Sequence, residues 1–233
     1  MIEFLQITIE YLPEILKAAL VYTIPLTIIS FVLAIIFATI TAIIRVVPMP
    51  YLPSWAHLMM HTIKIFANFY VWIFRSTPMI VQLFIVFYGL PNAHITIFSN
   101  AWVAAITVFS LNTGAYASES IRAAILSVSS GQSEAGLSLG MSIGQVYRYI
   151  VIPQAARMSI PPLSNSLISL LKDTSLASVI TIVEMFYLSQ QIAAANYHVL
   201  DLYILVALVY AFMTSMLSFG QRYLEKYTTK YRN

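Results

Sequence analysis

From Ala18 to Ile44 the chain runs for 27 residues without a charge. At 1.5 Å per residue, such a run folded as a helix exceeds the ~30 Å hydrocarbon core of a bilayer. Backbone N–H and C=O groups find no water there, so only helices and closed barrels satisfy them. No strand alternation runs through the segment, and a helix is expected. A second uncharged block, Ser76 to Ser118, is too long for one helix, and Leu202–Gln221 gives a third block of twenty residues.

These runs fix the class. Only 9% of the residues are charged and 60% are hydrophobic, with a mean hydropathy of +0.82. A soluble domain carries about 25% charged residues, so this chain lacks the charge to cover a water-facing surface. Its 233 residues leave room for about five or six spans of ~20 residues and none for a soluble nucleotide-binding domain. There is no cysteine, which removes disulfides, thiol catalysis and cysteine-ligated metals. A cleavable signal peptide is not expected, because Glu3, Glu10 and Glu14 stand where a basic region would be. The first seventeen residues read as an amphipathic segment at the interface, separated from the first span by Pro13.

Five helical spans are expected, at about 18–44, 65–90, 101–125, 158–183 and 202–221. The break Pro91–Asn100 divides the second from the third, and Pro161, Pro162, Lys172 and Asp173 make the fourth unusual. Arg45, Lys64, Arg122, Arg148, Arg157, Arg222, Lys226, Lys230 and Arg232 fall on one side of these spans, and only Lys17 on the other. The excess of positive charge marks the cytoplasmic side. The N-terminus is therefore expected outside and the C-terminus inside.

The longest polar segment, 127–157, is then cytoplasmic. Its residues suit two short helices joined by a turn. Ser133 is placed to cap a helix beginning at Glu134, Gly140 to end it, Ser142 to start the next and Pro153 to stop that one. Composition alone fits an ordinary polar loop as well. The spacing is more specific. Glu134-Ala135-Gly136, three residues, Gly140, nine residues, then Ile150-Val151-Ile152-Pro153 resembles the EAA loop of ABC importer permeases. Two positions depart from that pattern, Gly136 for alanine and Ile152 for leucine.

The resemblance extends along nearly the whole chain. Arg75-Ser-Thr-Pro-Met-Ile-Val-Gln82-Leu-Phe, Leu111-Asn-Thr-Gly-Ala-Tyr-Ala-Ser-Glu119-Ser-Ile-Arg122 and Pro161-Pro-Leu-Ser-Asn-Ser-Leu-Ile-Ser-Leu-Leu-Lys172-Asp-Thr-Ser-Leu176 are similar to segments of the polar amino acid permease branch, and among its subgroups to L-cystine permeases. The resemblance implies an all-α integral membrane protein of the type I ABC importer (MetI-like) permease fold, in a bacterial plasma membrane. It implies a separate ABC ATPase docked on the loop, an extracellular substrate-binding protein and a second permease copy, here expected as a homodimer. Glu134, Ala135, Gly136, Gly140, Ile150 and Pro153 become the ATPase-coupling residues, with the two glycines admitting close backbone approach. The cargo implied is L-cystine, with arginine, glutamine or histidine as alternatives. ATP and magnesium belong to the partner ATPase. This chain has no G-x-x-x-x-G-K-[ST] motif, and no enzymatic activity or bound cofactor is expected of it.

Ionisable groups within spans are costly and mark function by default. Lys172, Asp173, Thr174 and Ser175 are candidates for the substrate path, with Asp173 facing a substrate ammonium. An interhelical polar lock is the competing reading. Pro161, Pro162 and the polar run Ser164-Asn165-Ser166 suggest an interrupted helix there. Arg75, beside Thr77, either snorkels to the headgroups or serves as a gate or carboxylate contact. Gln82 serves the pore or helix packing. Glu119 and Arg122, three apart, suit a structural pair, with Glu119 also a candidate path residue, and Asn112 suits close packing or the cavity. His57, His61, His94 and His198 have no metal-site pattern. The basic tail suits anionic lipid, not nucleic acid. An ion-coupled secondary transporter is the rival class, marked by discontinuous helices in both halves. Only the fourth span shows that sign.

Overall fold

A computed structural model describes residues 2–46 and 54–229, and every element among them is helical. A helix α1 (Ile2–Ala18) passes through a widened turn (Ala19–Thr23) into α2 (Ile24–Val46). The pair α3 (Ser54–Ser76) and α4 (Met79–Phe84) follows, and a further wide turn leads to the short α5 (Leu90–Asn92). Then come the long α6 (Ala101–Leu126), the loop helices α7 (Ser130–Ser138) and α8 (Ile143–Val146), α9 (Ile152–Asp173), α10 (Met185–Asn196) and α11 (Val199–Thr229).

The centre of the molecule is α6. Its Ala104, Ala105, Val108 and Phe109 pack with Leu26 of α2, Leu83 of α4, Leu170 of α9 and Ile180. Against it lies an α2 face of small buried residues, Thr27, Ser30, Ala34, Ala38 and Thr41. Small side chains let membrane helices approach closely. At Gly114 of α6, a Cβ would stand 3.1 Å from the Ala34 carbonyl oxygen and 3.0 Å from the Tyr70 hydroxyl.

Several expectations are corrected. Pro13 does not separate an interfacial segment, since α1 runs through it. Ile15 and Ala18 are buried with Met185, Leu205 and Val206, and this burial offsets the bond that a helix-interior proline removes. The helix expected over 65–90 is broken: α3 and the segment from Met79 to Asn92 meet at a 108° bend. Pro78, extended at ψ 136, pushes the residue before it out of helical conformation. The break near 91–100 contains a left-handed His94 (φ 66), and Asn100 caps α6 through Trp102 N–H at 2.9 Å.

The fourth segment differs most. Pro153, Pro161 and Pro162 neither stop nor interrupt α9. A wide turn over Tyr147–Val151 precedes Pro153, and such turns relax the helical ladder. The interruption falls later, in a 3₁₀ stretch Thr174–Ile180 ending at a left-handed Thr181. Hydroxyls of Thr174, Ser175 and Ser178 bond the carbonyls three residues back, which favours the tighter winding over α-helix.

Two helical segments, Phe4–Val46 and Val199–Lys226, are long and apolar enough to cross a membrane alone. Two bent pairs, α3 with α4–α5 and α8–α9 with α10, qualify as broken spans. The helix α6 is not among them; its buried Ser110, Asn112, Thr113 and Ser118 make it polar for a span.

Candidate functional site

The break after α3 leaves carbonyls without intrahelical partners, and side chains from α4 and α6 take them up. Gln82 Nε2 donates to Phe74 O (3.1 Å), Thr77 O (3.1 Å) and Thr77 Oγ1 (2.8 Å). Asn112 Nδ2 donates to Phe74 O (3.1 Å) and to Gln82 Oε1 (2.9 Å). Tyr116 Oη donates to Arg75 O (3.3 Å). Gln82 and Asn112 are both buried. Gln82 thus holds the chain break together and does not line the cleft beside it.

That cleft has a volume of about 460 Å³ and is walled by the α3–α4 break, by α6 and by α9, within the ~300–1,000 Å³ usual for small-molecule sites. Thr77, Asn112 and Asp173 of the predicted path line it, joined by Thr113, Tyr116, Asn165, Ser166 and Ser169. Thr113, Tyr116, Asn165, Ser166 and Ser169 lie outside the predicted set. Ser169 was legible, because Asn165, Ser169 and Asp173 repeat every four residues and share one face of α9. The other members of the Lys172–Ser175 run are not brought to the cleft. Lys172 is exposed, Thr174 is buried with its hydroxyl on Leu171 O (2.7 Å), and Ser175 donates to Lys172 O (2.8 Å).

Glu119 sits apart from the cleft lining as the hub of an arginine cluster. Arg45 Nη1 of α2 stands 2.5 Å from Oε1, Arg122 Nη2 2.9 Å from Oε2 and Arg75 Nη1 3.6 Å from Oε1. The Arg122 pair predicted from spacing is present, and two more arginines, distant in sequence, join it. Arg45 also donates to Asn68 Oδ1 (2.7 Å). The Arg75 guanidinium lies 5.4 Å from the centre of the Tyr116 ring, so it reaches the rim of the cleft.

In the loop, α7 starts at Ser130 with Ser129 at its cap position, four residues earlier than the helix expected at Glu134. Gly140 ends it as expected, with φ +81. Gly140 N–H donates to Leu137 O and Met141 N–H to Gly136 O, at 2.9 and 3.1 Å, the paired bonds of a Schellman cap. Ser142 then opens α8 in a capping box with Gln145. Gly136 is buried, and a Cβ there would stand 2.9 Å from Ile150 Cδ1 and 3.1 Å from Val146 Cγ2. Its smallness serves packing within this chain, and it ties the two ends of the loop together. Outward, the loop presents Glu134, Ala135, Leu137 and Leu139, the last 85% exposed.

Residues 54–230 match the family described as binding-protein-dependent transport system inner membrane component. The chain belongs to that family. This permease is therefore the membrane component of an ABC transporter, working with a separate ATPase and a binding protein, and it carries no ATPase domain or cofactor of its own. It is 44% identical over 218 residues to the L-cystine transport system permease protein TcyB of Bacillus subtilis (strain 168), covering 93% of this chain and 88% of that one. It is 38% identical over 157 residues to the glutamine transport system permease protein GlnP of Escherichia coli (strain K12), covering 67% and 72%. Among solved structures, an amino acid ABC transporter crystallised with histidines matches with a TM-score of 0.85 and 29% identity, over 96% of this chain and 97% of that one. An inward-facing methionine transporter, MetNI, shares the fold at a TM-score of 0.67 and 16% identity, over 95% and 97%.

Proposed function

We propose that this permease is half of the pore of an ATP-driven importer of L-cystine, with two copies side by side in the bacterial plasma membrane. The cleft carries the reading. It sets one carboxylate, Asp173, among hydroxyl and amide groups, with the Arg75 guanidinium at its rim. An amino acid head group needs an anion for its ammonium and a cation for its carboxylate. The likeness to the L-cystine permease favours cystine over glutamine, arginine or histidine.

Five spans are proposed, with the second and fourth built from the two bent pairs and α6 as the third. The N-terminus is outside and the C-terminus cytoplasmic, following the lysine and arginine excess. A helix as polar as α6 is acceptable in a bilayer when its neighbours surround it, and much of its polar face is buried. Glu134, Ala135, Leu137 and Leu139 form the surface that meets the ATPase, held in shape by Gly136, Gly140 and Ile150. Closure of the ATPases draws two such loops together and rocks the spans between access states. Pro153 lies in the first turn of the helix that carries Asp173, so loop movement reaches the cleft along one continuous element, α9.

Uptake of labelled L-cystine tests this, in cells with and without the chain and with ATPase and binding protein present. Loss on deletion, rescue by the intact chain and competition chiefly by unlabelled cystine are expected. Unchanged cystine uptake with loss of glutamine, arginine or histidine uptake would discard cystine. Uptake indifferent to the ATPase would discard the ATP-driven reading in favour of ion coupling.

A further inference from the structure

We infer that an anionic phospholipid of the cytoplasmic leaflet binds where α2, α3 and α6 meet, its phosphate on Arg45 and Arg122 and its chains along Ile65 and Trp72 of α3. The inference rests on the proposed orientation, which puts the ends of α2 and α6 at the cytoplasmic face.

The first observation is unbalanced charge. Arg45, Arg75 and Arg122 all address one carboxylate, that of Glu119. Among the described residues no other acid pairs with any of the three, and the stretch 47–53 that follows α2 holds no acid. Even with Arg75 set aside, since it reaches the rim of the cleft, Arg45 and Arg122 exceed Glu119 by one positive charge. Donors are also left over. A guanidinium carries five N–H groups. Arg45 spends Nη1 on Glu119 and Nε on Asn68 Oδ1, and Arg122 spends Nε and Nη2 on Glu119 Oε2. Nη2 of Arg45 and Nη1 of Arg122 donate to nothing among the described residues. The two side chains are 16% and 35% exposed, sheltered from bulk water yet within reach. A phosphodiester supplies what is missing: one negative charge for the surplus, and oxygens for both guanidiniums.

The second observation separates a lipid from a free phosphate. Asn68, the α3 residue that Arg45 bonds, stands between Ile65 three residues before it and Trp72 four after it, on one side of the helix. Ile65 is 54% and Trp72 61% exposed, and the ring of Phe69 lies 5.7 Å from that of Trp72. The helix belongs to a bent pair that qualifies as a broken span, so this apolar strip borders hydrocarbon. Tryptophan settles at headgroup level, and basic pockets between spans on the cytoplasmic side hold anionic headgroups. A soluble anion would use the charge and leave the strip bare, whereas a diacyl lipid covers both. Bound there, the lipid completes the junction of three helices beside the α3–α4 break.

The test is lipid retention by the purified permease–ATPase complex, counted by native mass spectrometry, with phosphatidylglycerol and phosphatidylcholine of identical chains as probes. Phosphatidylglycerol should stay bound under conditions that strip phosphatidylcholine. Arg122→Gln should weaken that retention about 5-fold and Arg122→Lys should keep most of it, while Arg222→Gln, at an exposed place on α11, should change it far less. Glu119→Gln supplies a sign that damage to the fold would not. It enlarges the positive surplus, so complexes of this variant that keep their ATPase should hold phosphatidylglycerol more tightly than wild type. Chain-free glycerol phosphate, even in large excess, should not displace the lipid. Equal retention of the two lipids, unchanged binding in Arg122→Gln, an equal loss in Arg222→Gln or weaker binding in Glu119→Gln would each overturn the site. Displacement by glycerol phosphate would overturn the lipid as occupant in favour of a soluble anion. Protease access to a C-terminal tag in sealed right-side-out vesicles reads the orientation separately; cleavage from outside would overturn the leaflet assignment whatever the lipid count.

Discussion

Two glycines in this chain should respond in opposite directions to the same substitution. Gly114 lies in α6 where a Cβ would meet the Tyr70 hydroxyl at 3.0 Å, the Ala34 carbonyl oxygen at 3.1 Å and Phe37 Cβ at 3.3 Å. Gly220 lies in α11 with nothing within 4 Å of its would-be Cβ. Both are in helix interiors, so replacement by alanine gains about 0.5–1 kcal/mol of helix propensity at either site. That common gain cancels when the variants are compared. What remains is crowding. One of the three neighbours at Gly114 is backbone, and the Tyr70 hydroxyl is held by its own bond to Leu111 O at 2.7 Å, so neither yields without moving a helix. Overpacking of this kind costs about 1–3 kcal/mol. For a chain of this size each kcal/mol moves the melting temperature by roughly 2–4 °C. G220A should therefore melt slightly above wild type, and G114A roughly 2–12 °C below G220A on that conversion. The assay is the monodisperse fraction left after heating purified permease–ATPase complex, at one fixed heating rate because membrane-protein unfolding is commonly irreversible. Equal shifts in the two variants would refute the close α2–α6 approach.

Further outcomes follow from the other contacts. Asn112→Leu leaves Gln82 Oε1 buried without a donor and should cost about 1–3 kcal/mol along with uptake; wild-type stability and uptake in that variant would dismiss the clip across the α3–α4 break. Glu119→Gln leaves three guanidiniums facing one another, and its cost should fall between the ~1 kcal/mol of exposed pairs and the ~3–5 kcal/mol of buried ones. Adding Arg75→Gln should return part of that loss in a double-mutant melting cycle, whereas strict additivity would deny the coupling. Leu139→Asp, at an 85% exposed position, should leave melting of the isolated permease unchanged yet lose the ATPase on co-purification. Gly140→Val should lower both, because a branched residue at φ +81 costs about 1–2 kcal/mol.

Class and local punctuation were readable from residue order because they depend on near neighbours. Uncharged runs must be helices in lipid, Gly140 ends α7 because it alone tolerates that φ, and Ser142 caps α8 through Gln145 three residues on. Even Glu119 with Arg122 was legible, since the partners are one turn apart. The turn at Thr174 was written in hydroxyls spaced to reach carbonyls three residues back, although the prolines upstream offered a louder and misleading signal. Prolines are poor guides here, because Pro13, Pro161 and Pro162 sit inside helices that packing and the bilayer sustain, and among the described residues Pro78 alone forms a sharp corner.

What only the tertiary structure decided are the meetings between residues far apart in the chain. Arg45 and Arg75 reach Glu119 from α2 and α3; Asn112 and Gln82 close the break after Phe74; Gly136 receives Ile150; and Glu184 is buried, accepting N–H bonds from Phe186 and Tyr187 and a hydroxyl bond from Tyr210. No periodicity encodes such pairs, because helix packing sets which faces meet, and a polar side chain has many possible partners until that choice is made. Sequence determined that the chain is a helical membrane permease with a structured polar loop. Packing decided which polar residues serve one another and which, Asp173 chief among them, are left lining the cleft, because in a nonaqueous interior each polar group must find its partner across helices.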